Sequence, residues 1–320
     1  MELIRGAYNL RTHHQGCVAT IGNFDGVHLG HQAIIEQLLA KGESLSLPSV
    51  VILFEPQPRE YFSDGVIPSR LMTVRDKFNM LASLGIDRVL CLRFDEAFCS
   101  LSAAEFCKSI LVDGLGIKHL VVGDDFRFGN DRCGDFSFLQ NAGASNGFSV
   151  EHTCTYEVEG GRVSSTRIRN ALADGNIEIV KDLLGEHFSI SGRVVHGDKI
   201  GRTIGVPTAN VLLNRDISPV NGVFAVTVTM PEHVDVLGKV RTERSALGVA
   251  NVGLRPTVSG TQMRLETHLF DFDEDIYGRR VSVSFRHKIR DEQKFSGLDA
   301  LKAQIAEDIL SAKSYFTQSN

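Results

Sequence analysis

His28 and His31 stand three residues apart where an apolar-periodic stretch begins, with Gly22-Asn23-Phe24-Asp25-Gly26 ahead of them and Gly30 between them. Three apart on a first helical turn, two imidazoles share a face. The unpaired N–H groups and dipole of a helix start favour an anion such as phosphate. Gly22, Gly26 and Gly30 would let the backbone come close to one. Both histidines could then donate to phosphate oxygens and to charge developing in a phosphoryl or nucleotidyl transfer. Two other readings stay open. The residues could simply shape a loop and a helix start, or they could bind a metal, although no third ligand lies at a familiar spacing.

Two more stretches carry groups of this kind. Val163 to Arg169 reads VSSTRIR. Ser164, Ser165 and Thr166 open an expected helix with hydroxyls and N–H groups, and the guanidinium groups of Arg167 and Arg169 suit a triphosphate. N-capping plus a solvated arginine face is the alternative. Residues 191–210 read SGRVVHGDKIGRTIGVPTAN. Glycines 192, 197, 201 and 205 suggest a flexible, turn-rich loop. The Thr208 hydroxyl and Asn210 amide are neutral oxygen ligands that suit Mg²⁺ beside phosphates and waters. A purely structural Gly-Pro-Thr loop would look the same.

The elements that must position these groups change character midway. Apolar runs at Cys17–Ile21, Ser49–Phe54, Arg88–Phe94 and His119–Gly123 alternate with helical spacing over Gln32–Lys41, Thr73–Leu84 and Ala103–Leu111. That order reads as an α/β unit with a parallel sheet covered on both faces, where ligands collect at the carboxyl ends of the strands. Ser165–Ala173 and Ile177–Leu184 read as closing helices. Beyond them the period becomes two, at Gly222–Thr229, Arg264–Phe270 and Val281–Lys288. These predict antiparallel strands with one wet face, in a small barrel or sandwich whose mouth the glycine loop would cover. A last helix is expected after a capping box at Ser296–Asp299, with Leu298, Leu301, Ile305 and Ile309 as its apolar stripe. The boundary falls near Gly185–Phe188, dividing 1–184 from 185–320.

The totals bound the function. The 320 residues fit two domains, and 42% hydrophobic with 23% charged is ordinary for a soluble globular chain. A net charge of -5 argues against a nucleic-acid partner. No apolar run approaches the length of a membrane span, and MELIRGAYNL shows no signal peptide. The 6 cysteines, Cys17, Cys91, Cys99, Cys107, Cys133 and Cys154, form no CxxC pair and suit buried or partly buried thiols in a reducing cytoplasm.

HxGH after a strand, with GNFDG ahead of it, resembles the nucleotidyltransferase superfamily that includes the HIGH-bearing class I synthetases. Leu53-Phe54-Glu55-Pro56, residues 122–129 (VGDDFRFG) and residues 163–169 narrow the likeness to the FMN adenylyltransferase module of bacterial bifunctional riboflavin kinase/FAD synthetases. The loop at 197–210 resembles the kinase motif GxxxGRxxGfPTAN, with Val206 where an aromatic is usual. Residues 248–257 resemble GVANxGxRPT, and Leu265–Leu269 an E-x-H strand. The resemblance runs from about residue 2 to the end of the chain. It implies a Rossmann-like nucleotidyltransferase domain followed by a riboflavin kinase β-barrel and a helix. The implied activity is phosphorylation of riboflavin to FMN, then adenylylation of FMN to FAD with release of pyrophosphate. ATP and Mg²⁺ serve both steps, and the chain is a cytoplasmic monomer or weak oligomer with small-molecule partners only. For ATP and its phosphates the resemblance implies Gly22, Asn23, Phe24, Gly26, His28, Gly30, His31, Ser164, Ser165, Thr166 and Arg169, with Gly192, Gly201 and Arg202 in the kinase half. For flavin it implies Phe54, Pro56, Asp125, Phe126 and Arg290; for Mg²⁺, Thr208 and Asn210. Glu266, on a barrel strand and aimed at the mouth, would be the base that accepts the ribityl hydroxyl proton. On pattern alone Glu266 shares a polar strand face with Arg264 and His268.

Overall fold

The computed structural model describes residues 1–63, 65, 67–153, 155–197, 205–213, 217–231, 233–234, 240–257 and 260–318. By its contacts the chain forms two compact units, Met1–Pro68 with Val74–Ser165, and Ser69–Thr73 with Thr166–Asn320. The expected closing helices fall with the second unit in this division.

In the first unit the chain runs β1 (Glu2–Arg5), β2 (Val18–Ile21), α1 (Leu29–Leu45), β3 (Ser49–Glu55), α2 (Pro58–Tyr61), α3 (Val74–Ser83) and β4 (Arg88–Arg93). It continues through α4 (Glu96–Cys99), α5 (Ala103–Phe106, passing into a π-helical stretch Cys107–Val112), β5 (His119–Gly123), α6 (Phe136–Asn146) and β6 (Ser149–Thr153). A hairpin of β7 (Glu157–Val158) and β8 (Gly161–Arg162) follows. The six strands of the sheet are parallel, in the order β1-β4-β3-β2-β5-β6. All of β2 and the first five residues of β3 are buried, as strands sandwiched between helices must be. The chain leaves β2 for β3 on one side while β5 lies on the other. Such a reversal opens a crevice at the carboxyl ends of the strands.

The second unit begins with α7 (Ser165–Ala173) and α8 (Ile177–Leu184). Its barrel contains β9 (Ser189–Val195), β10 (Ala209–Val211) and β11 (Gly222–Met230). A small pair, β12 (His233–Val234) and β13 (Val240–Arg241), precedes β14 (Arg244–Thr257), β15 (Gly260–Leu269), β16 (Arg280–Arg290) and the terminal helix α9 (Leu298–Gln318). The barrel is closed, in the order β10-β15-β14-β11-β16-β9. Inward residues alternate with outward ones: Leu265, Thr267 and Leu269 are buried on β15, and Val281, Val283 and Phe285 on β16.

Four expectations change here. The first half of β11 has no wet face, because α9 packs over the outside of β11, β14 and β16 and buries Val223, Ala225, Val249 and Ala312 between helix and barrel, while Thr227 and Thr229 further along stay partly exposed. Leu301 donates to the Gly297 carbonyl, so α9 starts one residue later than the Ser296 capping box implies. The packed side of the helix also lies further along. Ile309, Ala312, Tyr315 and Phe316 face the barrel, whereas Leu298 is exposed. Among the cysteines, Cys17, Cys91, Cys99, Cys107 and Cys133 are free, and Cys133 is exposed rather than buried; Cys154 lies outside the described residues. Burial pushes the Cys17 thiol up to about 12 and that of Cys107 to about 11, so neither is nucleophilic at neutral pH.

Candidate active sites

The first site is built on the turn between β2 and α1. Phe24 and Val27 take positive φ (48° and 40°), as does Gly26 (87°). Positive φ is costly for a β-branched residue, so neighbouring groups must hold this loop. Lys77 of α3, itself buried, donates to the Asn23 carbonyl at 2.6 Å. Gln32 donates to the Val27 carbonyl at 2.9 Å and the Ser165 hydroxyl to that of Asp25 at 2.8 Å. Replacing Lys77 with Met removes one charge-assisted bond, worth ~1.5–3 kcal/mol. Adenylyl transfer to FMN is expected to fall about ten- to a hundredfold while riboflavin phosphorylation is unchanged, as paired assays with each flavin would show.

His28 is the N-cap of α1 and not a first-turn residue. Its Nδ1 accepts the His31 backbone N–H at 3.3 Å, which leaves its ring proton on Nε2. The two rings stack with centroids 3.7 Å apart, and Phe24 closes over His31 at 4.8 Å. Two of the glycines are explained by this packing. A Cβ on Gly22 would lie 2.9 Å from the Phe24 ring, and one on Gly30 would lie 3.3 Å from the His28 ring. Burial, with the neighbouring His28 and the Lys77 ammonium adding to it, lowers the His31 imidazole well below its ordinary value, so at neutral pH it is uncharged. The Nδ1 of His31 and the Oδ1 of Asn23 are buried without a partner among the described residues. Buried groups of this kind generally mark a place where a ligand or water completes the bonding.

Adjacent strands place further groups at the same carboxyl edge. Neighbouring strands lie ~4.8 Å apart, so the ends of β3 and β5 flank the histidine turn at β2. Phe54 at the end of β3 packs against Phe94 (5.8 Å) and Phe98 (5.4 Å), and Tyr61 and Phe62 join Phe94 at 5.5 and 5.7 Å. Beyond β5, Phe126 stacks on Phe128 at 5.4 Å. Pro56 is exposed, and Asp125 pairs with Arg162 at 3.0 Å. Phe62, Phe94 and Phe98 belong to this aromatic wall yet are not among the expected residues. Their position just past the carboxyl ends of β3 and β4 is the available signal. Ser164 and Ser165 end the first unit, whereas Thr166 and Arg169 fall in the second, where Arg169 Nε donates to the Ser69 carbonyl at 2.6 Å.

The second site is a row across the barrel. Asn210 on β10 is the register partner of Glu266 on β15, and Glu266 is in turn the partner of Asn251 on β14. Facing residues on neighbouring strands have Cβ atoms ~5 Å apart on one face. Leu265 and Thr267 point inward, so this row faces outward, and Glu266 stands on the outer wall rather than at the mouth. The same row continues to Val223 on β11, under α9. Gly197 closes against Asn210, whose amide carbon would lie 2.6 Å from a Cβ there. His268 Nδ1 lies 2.9 Å from the Pro207 carbonyl and ties the Thr208 segment to β15. Gly192, expected to touch phosphate, is an inward residue of β9 instead. A Cβ there would meet the Leu212 carbonyl at 2.4 Å, so barrel closure accounts for this glycine. Gly201 and Arg202 lie outside the described residues. Arg290 is bound to Asp308 of α9 through two bonds, at 2.8 and 2.7 Å.

A parallel sheet with an anion-ready helix start at its switch point, and a separate barrel carrying a row of oxygen donors, define a transferase with two centres. Family models match both parts: FAD synthetase over residues 10–167 and riboflavin kinase over residues 184–316. The chain is similar to the bifunctional riboflavin kinase/FMN adenylyltransferase of Escherichia coli (strain K12), 52% identical over 99% of this chain and 98% of that one. It is equally similar to that of Pseudomonas fluorescens, 52% identical over 98% and 97%. With that of Haemophilus influenzae it is 46% identical over 99% of each. Among solved structures, one described as a macrolide-efflux protein from Streptococcus pneumoniae superimposes with a TM-score of 0.82 at 32% identity, covering 96% of this chain and 97% of that one. Among the described residues, no helix is long and apolar enough to cross a membrane. The chain belongs to the bifunctional riboflavin kinase/FMN adenylyltransferase family. It phosphorylates riboflavin to FMN and adenylylates FMN to FAD.

Proposed function

We propose that residues 1–184 carry out the adenylyl transfer and residues 185–320 the phosphorylation. The carrying observation is the pair of polar arrangements, each within one unit: the stacked His28–His31 turn with its unpartnered buried atoms, and the Asn210–Glu266–Asn251 row. In the first, His28 Nε2–H and neutral His31 donate to the ATP phosphates and to charge that develops as pyrophosphate leaves. Phe54, Pro56 and Phe126 with the aromatic wall hold the flavin, and Asp125 lies beside it. Asn23, Phe24 and the glycines shape the loop against the nucleotide. The hydroxyls of Ser164, Ser165 and Thr166, with Arg169, are assigned to phosphate on the strength of their motif.

In the barrel, Glu266 accepts the proton of the ribityl hydroxyl as it attacks the γ-phosphorus. The donor set of Thr208 hydroxyl, Asn210 amide oxygen and the neighbouring carboxylate is all hard oxygen, which fits Mg²⁺. Thr208 and Asn210 would hold the ion. When bound it neutralises phosphate charge. The reading extends to a cytoplasmic chain, a monomer or weak oligomer, with riboflavin, FMN and ATP as partners and neither nucleic acid nor membrane. Incubation with riboflavin, ATP and Mg²⁺ should yield FMN and then FAD; riboflavin left unchanged would overturn the reading.

The neutral His31 also predicts a pH dependence. Its folded value is depressed, so below ~6.5 the unfolded chain takes up a proton that the folded chain refuses. Stability is then full above that pH and falls as pH drops, by at most ~1.4 kcal/mol per pH unit. Denaturant titrations at pH 7 and 5.5 should show a gap that His31→Gln narrows.

A further inference from the structure

Arg290 stands in the same outward row as Glu266. It pairs with Val223, Val223 with Asn251, and Asn251 with Glu266. Its side chain does not reach along that row. Nε and Nη2 grip both carboxylate oxygens of Asp308, at 2.8 and 2.7 Å, and Nη1 donates to the Asp291 carbonyl at 2.9 Å. The guanidinium also lies over the Phe295 ring at 5.7 Å. Asp308 is 4% exposed and takes a further bond from Gln304 at 3.2 Å. A buried carboxylate that loses its partner is strongly destabilised, so this pair fixes where α9 sits. The helix in turn covers β16, β11 and β14, and β14 is the strand that pairs with β15, which carries Glu266. Another polar link along this side is longer: the Tyr315 hydroxyl donates to the Arg286 carbonyl at 3.2 Å.

We propose that Arg290 is a positioning residue of the kinase reaction, acting through Asp308 to hold α9 as the wall beside Glu266, and that it does not contact the flavin. This rests on the assignment of the kinase site to the Glu266 row. The step itself is unchanged by the pair; what the pair sets is the shape of the surface that receives riboflavin. Loss of either partner should therefore raise KM for riboflavin more than it lowers kcat.

The test uses the full chain with Asp308→Asn, Arg290→Gln and the double variant. Kinase KM and kcat are read with riboflavin, a thermal melt of each variant reports folding, and adenylylation of supplied FMN serves as the control for the other site. Each single variant is expected to raise KM about tenfold or more, with adenylylation intact. The double variant should be no worse than the worse single, because both remove one interaction. Arg290→Lys, which keeps the charge against Asp308, should recover part of the loss and decides the matter if the other variants fail to fold. A raised KM in Arg290→Gln with an unchanged KM in Asp308→Asn would mean that Arg290 touches the flavin, and would overturn the proposal. Unchanged KM in both, or no recovery by lysine, would overturn it as well. Glu266→Ala is run alongside. If it keeps its kinase turnover, the site assignment has failed independently of Arg290.

Discussion

Glu266→Ala is expected to lose riboflavin phosphorylation by about 10²- to 10⁴-fold, the usual contribution of a positioned general base, and to keep converting supplied FMN to FAD. The size of the effect follows from the placement of the carboxylate. It is the register partner of Asn210 on one side and Asn251 on the other, so the proposed base and the proposed metal ligand fall in one short row. The position is outward and only partly buried, so removing the side chain leaves no core cavity. Stability should change by no more than ~1 kcal/mol, which thermal melts would check. Glu266→Gln sharpens the result. It keeps size and hydrogen bonding but cannot accept a proton, so activity near wild type in this variant would remove Glu266 from the role of base.

The sequence shows most of what lies in buried runs and in contiguous motifs, and little of what depends on distant partners. The central strands are legible because both faces are covered and the runs are nearly all apolar. β1 and β6 sit at the two edges of the sheet, where β1 buries one residue and β6 none, so neither carries a clear period. The end of β9 reads as part of a glycine-rich loop because Gly192 stands where strands approach closely, and β14 carries no strand reading of its own although Gly248 marks a similar approach. A Cβ on Gly248 would meet the His268 carbonyl at 2.4 Å.

The candidate sites divide in the same way. His28 and His31 are singled out by spacing, whereas Thr208 and Asn210 are singled out by the motif they resemble. Lys77 does not, since a lysine on an amphipathic helix reads as solvated until the fold presents the Asn23 carbonyl to it. Arg290 is visible in the sequence, but Asp308 is not. It sits on a helix whose packed side falls later than its first leucines suggest, and a buried aspartate there has no signature apart from its partner.

His28→Ala is expected to stop the pathway at FMN, with adenylyl transfer down by about 10²- to 10³-fold, the usual cost of one donor to developing charge, and riboflavin phosphorylation unaffected. One substitution here removes two things. In the proposed site the imidazole is the Nε2–H donor toward phosphate, and its Nδ1 caps α1 by accepting from His31 N–H. Losing a cap costs ~1 kcal/mol and frees the turn that aims His31, so part of the loss in the alanine variant could be indirect. His28→Asn separates the two roles, because asparagine is among the best N-caps but cannot reproduce an imidazole donor stacked at 3.7 Å on His31. If catalysis depends on the donor, the asparagine variant should regain the melting temperature and not the adenylyl transfer. If it depends on the turn, both should return together. His31→Ala supplies the comparison. It leaves the His28 cap acceptor and the backbone N–H in place while removing the ring packed between His28 and Phe24, so adenylyl transfer should fall with the cap of α1 intact. A loss in His28→Ala that His28→Asn repairs in full would assign His28 to shaping the loop and leave His31 as the phosphate contact.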